Sequence, residues 1–365
     1  MSPSWSHVRR MLCNKCAALG IPVSGVFELT PRCNLRCKMC YVRLTPEQMT
    51  PLGQERTAQQ WVELGRQARD AGMTFLLLTG GEPMLRQDFC EIYENLAQMG
   101  LSISLNTNGT LLREEIRQLW QRLPPAQVNI TLYGTCREDY AALCQNPDAF
   151  DAVVEALDWL KNQGILVHLN TTVVPTNVEK WEKIEEFARE RGLDLRLTAY
   201  CFPPNRRHCQ GFERLSAEEA GSLIVRDIYY REGAKGILTR AKDLDTPLPH
   251  SCELDNGEPM QCTAGRSQFW ITWNGNMTPC AMLTQPAVNP EEGFPQAWEQ
   301  LKELCRPIRL CPDCVGCPDQ KSCLNCAAVT FAETGSFSGK PEYMCRLNQA
   351  YRQTLFSMAQ QLENS

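Results

Sequence analysis

The chain has 365 residues, and its 37 Lys and Arg against 42 Asp and Glu leave a net charge of −5. That balance gives no basic footprint for nucleic acid and no polybasic stretch for an anionic membrane. The longest obvious apolar run, Phe75-Leu76-Leu77-Leu78, is far shorter than the roughly 18 residues of a spanning helix. The 20 cysteines are about 5.5% of the chain, below the roughly 8–10% of a small disulfide scaffold, and a chain this long buries a core without covalent staples.

Arg9 and Arg10 precede an apolar stretch that Asn14, Lys15, Pro22 and Ser24 interrupt, so the N-terminus reads as an uncleaved segment of a cytoplasmic protein. In a reducing compartment, dense cysteines point to metal binding or catalysis more than to disulfides. Cys13-x2-Cys16 is too small a set for a site and reads as two free thiols.

From residue 26 the chain alternates between two periods. Strand-like runs are expected at 26–30, 74–79, 102–106, 128–133, 167–174 and 194–200, each rich in β-branched and apolar residues. Amphipathic helical stretches fill the intervals at 57–71, 87–99, 111–122, 148–163 and 178–191, with Gly72, Gly100, Gly164 and Gly192 at the expected stops. Six βα units in succession imply a parallel sheet, whose strand-to-helix loops gather on one face, where βα barrels carry their chemistry. The alternation ends near residue 200, and 201–260 reads as a connection with one helical piece at 216–232.

The cysteines are clustered. Ten fall between Cys252 and Cys345, three stand together as Cys33, Cys37 and Cys40, and seven are scattered. The first cluster, Cys33-Asn-Leu-Arg-Cys37-Lys-Met-Cys40-Tyr41, occupies the loop after the first strand. Three thiolates are one short of a closed zinc site or an ordinary four-cysteine iron-sulfur cube, so the loop either leaves one iron of a cube open or takes a distant fourth ligand to zinc.

The C-x3-C-x2-C spacing followed by an aromatic resembles the signature of radical S-adenosylmethionine (SAM) enzymes. That resemblance implies a 4Fe-4S cluster on Cys33, Cys37 and Cys40 whose open iron chelates SAM. Thr79-Gly80-Gly81-Glu82-Pro83, at the end of the second strand, looks like the family's motif for the SAM amino group, with glycines that admit a ligand to the backbone. Asn106-Thr107-Asn108-Gly109-Thr110 and Asn129-Ile130-Thr131-Leu132-Tyr133-Gly134 resemble two further family segments. By that likeness Tyr41, Gly80, Gly81, Glu82, Pro83, Asn108 and Thr131 are candidate SAM contacts, although Asn-Gly also makes turns and a strand Thr also packs.

The C-terminal run of Cys262, Gly275, Cys280, Cys314-x2-Cys317-x5-Cys323-x2-Cys326 and Cys345 resembles the SPASM extension of radical SAM enzymes. It departs from that pattern by one residue, having two rather than three between Cys323 and Cys326. The resemblance implies one auxiliary 4Fe-4S cluster on Cys314, Cys317, Cys323 and Cys345. A second would sit on Cys262, Cys280 and Cys326, with Cys252 as a further candidate and Cys305 and Cys311 in surplus. Spacing alone also allows a zinc module. Cys90, Cys136, Cys144, Cys201 and Cys209 read as core or loop residues.

The fold expected is α/β, a partial (β/α)6 TIM-like barrel with a small Cys-rich C-terminal auxiliary-cluster domain. Its parts would be an N-terminal segment 1–22, the barrel 23–235, the cluster domain 236–350 and a C-terminal helix 351–365. Through the resemblance, the chain is expected to cleave SAM reductively to a 5'-deoxyadenosyl radical and to modify a peptide or protein oxidatively by C–H abstraction. A flavodoxin or ferredoxin would serve as electron donor, with no nucleic acid or membrane partner. Ala281 stands where sulfatase-maturing relatives carry an Asp base, which disfavours that activity. About 25 residues precede the first strand, too few for a separate leader-binding module, and Arg206-Arg207-His208 reads as a solvated loop. The four histidines form no catalytic pattern. A small-molecule substrate such as a sugar, and a non-catalytic metal or electron carrier, are the competing readings.

Overall fold

The computed structural model describes residues 5–204, 212–245, 260 and 262–364. The elements follow in chain order as α1 (Trp5–Leu19), β1 (Ser24–Glu28), α2 (Pro46–Met49), α3 (Ala58–Asp70), β2 (Phe75–Thr79), α4 (Phe89–Gln98), β3 (Ser102–Thr107), α5 (Glu114–Arg122), β4 (Gln127–Thr131), α6 (Arg137–Cys144), α7 (Ala149–Asn162), β5 (Val167–Thr172), α8 (Trp181–Glu190), β6 (Asp194–Thr198), α9 (Ala217–Asp245), β7 (Gln268–Ile271), β8 (Met277–Thr278), α10 (Phe294–Cys305), α11 (Ala327–Thr334) and α12 (Glu342–Glu363). The sheet order is β6-β5-β4-β3-β2-β1-β7-β8, with every pair parallel except β7 and β8.

The six expected βα units form the partial barrel. The helices that cover it show why their sequences fold as they do. In α3, Thr57 and Gln60 make a reciprocal capping box, and Trp61, Leu64, Gly65 and Ala68 repeat at helical spacing on the buried face. In α5, Glu114 and Glu115 open the helix and Arg122 closes it, as the helix dipole favours. Gly164 and Gly192 end α7 and α8 with φ of 68° and 64°, values that cost a side-chain-bearing residue energy.

The sheet has two chemically different faces. Along β4 and β5, buried Val128, Ile130, Val167 and Leu169 alternate with partly exposed Gln127, Asn129, Thr131, His168 and Asn170. Successive strand residues point to opposite faces, so the apolar set meets the helices and the polar set faces the barrel interior. The register aligns those polar residues into rows, Asn106 with Asn129, Asn129 with His168, Thr131 with Asn170 and Asn170 with Arg196.

Three features depart from the sequence expectation. The C-terminal region joins the barrel sheet, because β7 pairs in parallel with β1, matching Ser24 with Gln268 and Phe27 with Ile271. The expected helix at 216–232 runs on to Asp245 through a non-helical Gly233. The helix expected from residue 351 begins at Glu342 and so carries Cys345 in its first turn. It packs on α9 through a shared apolar cluster that includes Val225, Ile237 and Leu355. Cys16, on α1, is buried with Val23 and Phe75 in a small apolar cluster that Cys13 flanks, and both thiols are free. Among the described residues no helix is long and apolar enough to cross a membrane.

Candidate metal centre

The Cys33 loop leaves the C-terminal end of β1 and is fixed to the loop after β2 by a backbone ladder. Leu29 N donates to Thr79 O (2.8 Å), Gly81 N to Thr30 O (2.7 Å) and Glu82 N to Arg32 O (2.8 Å). This contact explains the paired glycines. A Cβ at Gly80 would stand 2.4 Å from Thr30 O, and one at Gly81 would stand 2.3 Å from Arg32 O. The backbone that Gly80 and Gly81 admit is therefore that of the cysteine loop itself.

Side chains complete the clamp. Arg32 makes two 2.8 Å bonds to the Glu55 carboxylate, which also accepts from the Thr30 hydroxyl. Arg86, only 5% exposed, donates to Leu29 O, to Arg56 O and twice to Asp88. Paired charge-assisted bonds of this kind fix direction as well as adding energy. Leu35 and Met39 are buried between the cysteines, and the amides of Arg36 and Lys38 bond the carbonyls of Cys144 and Leu143 at the end of α6 (3.0 and 3.2 Å).

The three thiols interact electrostatically with one another. Burial pushes Cys33 up to about 12, and the nearby Glu82, Cys37 and Cys40 add to the rise. Leu35 N and Asn108 Nδ2 point at Cys33 Sγ (3.4 and 3.6 Å), and Arg43 N donates to Cys40 Sγ (3.3 Å). Cys37 is held below the ordinary thiol range, chiefly by a hydrogen bond from the Cys144 thiol and further by one from the Tyr133 hydroxyl. Three neighbouring thiols, with amide, hydroxyl and thiol donors aimed at them and buried where an unpaired thiolate is costly, are a donor set that fits an iron-sulfur group.

Glu82 is completely buried, and its carboxylate is committed to the protein. It accepts from the Thr107 hydroxyl (2.8 and 2.9 Å), Asn108 N (2.8 Å) and Met84 N (3.1 Å). Burial nevertheless raises it to about 7. Through this anchor Asn108 reaches the cysteine loop, where its amide also bonds Asn34 Oδ1 (2.9 Å) and its carbonyl oxygen accepts from Thr110. Pro83 is buried and opens a helical turn, and Tyr41 is partly exposed beside Cys40. Thr131 lies on β4 opposite Asn170, and no hydrogen bond links it to the loop among the described residues. Sequence reasoning missed Asn34, Thr107, Thr110, Tyr133 and Cys144. Asn34, Thr107, Thr110 and Tyr133 lie inside segments already singled out, whereas Cys144 reads in sequence as an ordinary core or loop residue.

The C-terminal thiols fall into two sets. Cys262, Cys280 and Cys326 line a cavity of about 150 Å³, and burial raises Cys280 to about 11, with Cys326 and Cys262 adding to it. Cys305, expected as surplus, lies close enough to interact with Cys262 and Cys280, and burial pushes it up to about 12. Cys314, Cys317, Cys323 and Cys345 form the second set, with Cys311 buried beside Cys314.

The short Cys323-x2-Cys326 spacing is accommodated by the backbone. Both residues are extended, at φ −77° and −149°, and they lie near different thiols, Cys323 near Cys317 and Cys326 near Cys262 and Cys280. Among the described residues no three His, Cys, Asp or Glu side chains are gathered as they would be around a metal ion. Cys252, Cys209 and Arg206-Arg207-His208 lie outside the described residues.

Comparison with known proteins agrees with this loop. The radical SAM superfamily pattern matches residues 27–188, from β1 into α8. The AdoMet-dependent heme synthase of Methanosarcina barkeri is 27% identical over 340 residues, which is 87% of this chain and 94% of that protein. A probable GTP 3',8-cyclase of Methanopyrus kandleri is 32% identical over 299 residues, 79% of this chain and 91% of that protein. Among solved structures, Streptococcus suis SuiB bound to S-adenosylmethionine superposes with a TM-score of 0.64 at 17% identity, covering 94% of this chain and 82% of SuiB. Native anSMEcpe with bound AdoMet gives 0.64 at 15% identity, covering 94% of this chain and all of that one. With its cysteine loop, its parallel barrel and a relative 32% identical over nine-tenths of that relative's length, the chain belongs to the radical SAM superfamily.

Proposed function

We propose that this chain is a SPASM-type radical SAM enzyme that oxidatively modifies a peptide. The observation that carries the reading is the distribution of thiols. One three-cysteine loop stands at the C-terminal end of β1, and two further sets stand within residues 262–345. When bound, the cluster on Cys33, Cys37 and Cys40 supplies the electron that cleaves SAM to methionine and a 5'-deoxyadenosyl radical, which takes a hydrogen atom from the substrate. The auxiliary sets, Cys314, Cys317, Cys323 and Cys345 and, separately, Cys262, Cys280 and Cys326 with Cys252 as a further candidate, suit clusters that accept the electron left on the substrate.

The chain's own residues have separable parts in this scheme. Asn108 and Leu35 N hold Cys33, Tyr133 and Cys144 hold Cys37, and Glu82 fixes the loop that carries Asn108. Tyr41, the backbone of Gly80–Pro83 and Thr131 remain the candidate SAM contacts. The polar interior residues Asn106, Asn129, Thr131, Asn170 and Arg196 offer hydrogen bonds to a substrate entering the barrel. A cytoplasmic setting with a flavodoxin or ferredoxin donor, and the division 1–22, 23–235, 236–350 and 351–365, complete the proposal.

Peptide is favoured by the likeness to SuiB bound to its precursor peptide, which spans 94% of this chain. A small molecule of heme-precursor type is the second reading, favoured by the heme synthase relative that aligns with 87% of the chain. The test is anaerobic reconstitution followed by SAM and dithionite, with either a peptide from a neighbouring short reading frame or a heme precursor. Peptide-stimulated 5'-deoxyadenosine and a peptide mass loss of two hydrogens support the first reading. Stimulation by the heme precursor alone replaces it with the second.

A further inference from the structure

The end of the barrel opposite the cysteine loop holds a cavity of about 520 Å³. Ser24 of β1, Ser104 of β3, Gln127 of β4, His168 of β5 and Gln268 of β7 surround it, and α1 lays Arg9 and Arg10 beside them. Barrel interiors are ordinarily filled by layers of branched aliphatic side chains. Here the lining positions of β1, β3, β4, β5 and β7 named above are polar, while β2 places Phe75 in register with Ser24 and Ser102, and the space between them is open.

Two observations set this cavity apart from an ordinary solvent pocket. Its wall includes residues that are otherwise buried, Ser24 and Ser104 being only 9% and 8% exposed. The charge lining the cavity is also of one sign. Arg9 stacks its guanidinium face 4.7 Å over the Phe75 ring, which leaves the N–H edge available. Arg10 bonds His7 through one nitrogen. No carboxylate lines the cavity among the described residues, and Asp194, which bonds His168 at 3.1 Å, has a side chain 74% exposed.

We propose that this cavity binds a small phosphorylated molecule of nucleotide size. Arg9 and Arg10 would hold its phosphate, and Ser24, Ser104, Gln127 and Gln268 its polar body. Arginine forks match phosphate oxygens in pairs, and the volume lies within the roughly 300–1,000 Å³ of small-molecule sites. The site stands at the far end of the strands from Cys33 and does not depend on which substrate the barrel takes.

The test uses the reconstituted full chain, with uridine monophosphate as probe because it lacks the adenine of SAM, titrated by calorimetry. One-to-one saturable binding is expected, weakened at least about tenfold in the R9Q/R10Q double variant. Binding is likewise expected to be lost in S104L, which fills the cavity, while both variants cleave SAM as the parent does. If S104L does not fold, the arginine variant carries the test alone. Absence of saturable binding at millimolar probe, binding undiminished in R9Q/R10Q, or displacement of the probe by SAM would each overturn the proposal.

Discussion

The two cysteine-rich regions are built in opposite ways. The Cys33 loop is clamped before any cofactor arrives, since its backbone is laddered to Gly81 and Glu82 and its flanks are held by Glu55, Arg32 and Arg86. The C-terminal thiols are carried by short helical turns, by the two-residue β8 and by the ends of α11 and α12. A site that must leave one metal position open cannot rely on the metal to gather its ligands, so the fold does the gathering. Sites with a closed ligand set can draw much of their folding energy from binding.

This contrast can be broken by experiment. The largest effect is expected from C37A, which removes one proposed cluster ligand but leaves the clamp. SAM cleavage is lost with about four irons, and the barrel melts as the parent does. Next is chelation of iron. Hydrogen exchange should rise across 262–345 while β1 to β6 stay protected, and equal loosening of both regions would remove the distinction.

Glu82 tests the clamp itself. E82A leaves Thr107, Asn108 and Met84 donors without an acceptor and should cost about 3 kcal/mol in denaturant unfolding. Its titration has a definite sign. The folded value of about 7 lies above the ordinary 4.5, so the fold prefers the protonated form. That stabilisation is fully present below pH 4.5 and is lost as pH rises through about 7. Melting temperature should fall over that window in the parent and stay level in E82Q. The smallest effect is expected for Y133F, which removes one of the two donors to Cys37. The cluster's reduction potential should shift to a more negative value, since hydrogen bonds to ligand sulfurs raise it, and an unchanged potential would assign Tyr133 to packing alone.

Sequence legibility divides along the same line. β1 to β6 and the helices after them could be read because alternation and glycine stops are local signals, and the six expected strands agree with the observed ones to within two residues at each end. β7 and β8 could not be read, because four and two residues carry no period and β1, the partner of β7, lies some 240 positions away. The cysteines of the loop were legible from spacing. The contacts that aim them were not, because Asn108 to Cys33, Glu82 to Thr107 and Cys144 to Cys37 are pairings that only the packed sheet creates. The close approach of Gly80 and Gly81 to the backbone of Thr30 and Arg32 was likewise not legible, because it too exists only in the packed sheet.

The central claim is that the Cys33 loop is a self-contained cofactor site, separate from the C-terminal thiols. Iron counting on the anaerobically reconstituted C33A/C37A/C40A variant beside the parent, with 5'-deoxyadenosine measured in the same samples, tests it most directly. About twelve irons and SAM cleavage are expected in the parent, against about eight irons and no cleavage in the variant. Retained cleavage in the variant, or zinc in place of iron in the parent, would contradict it.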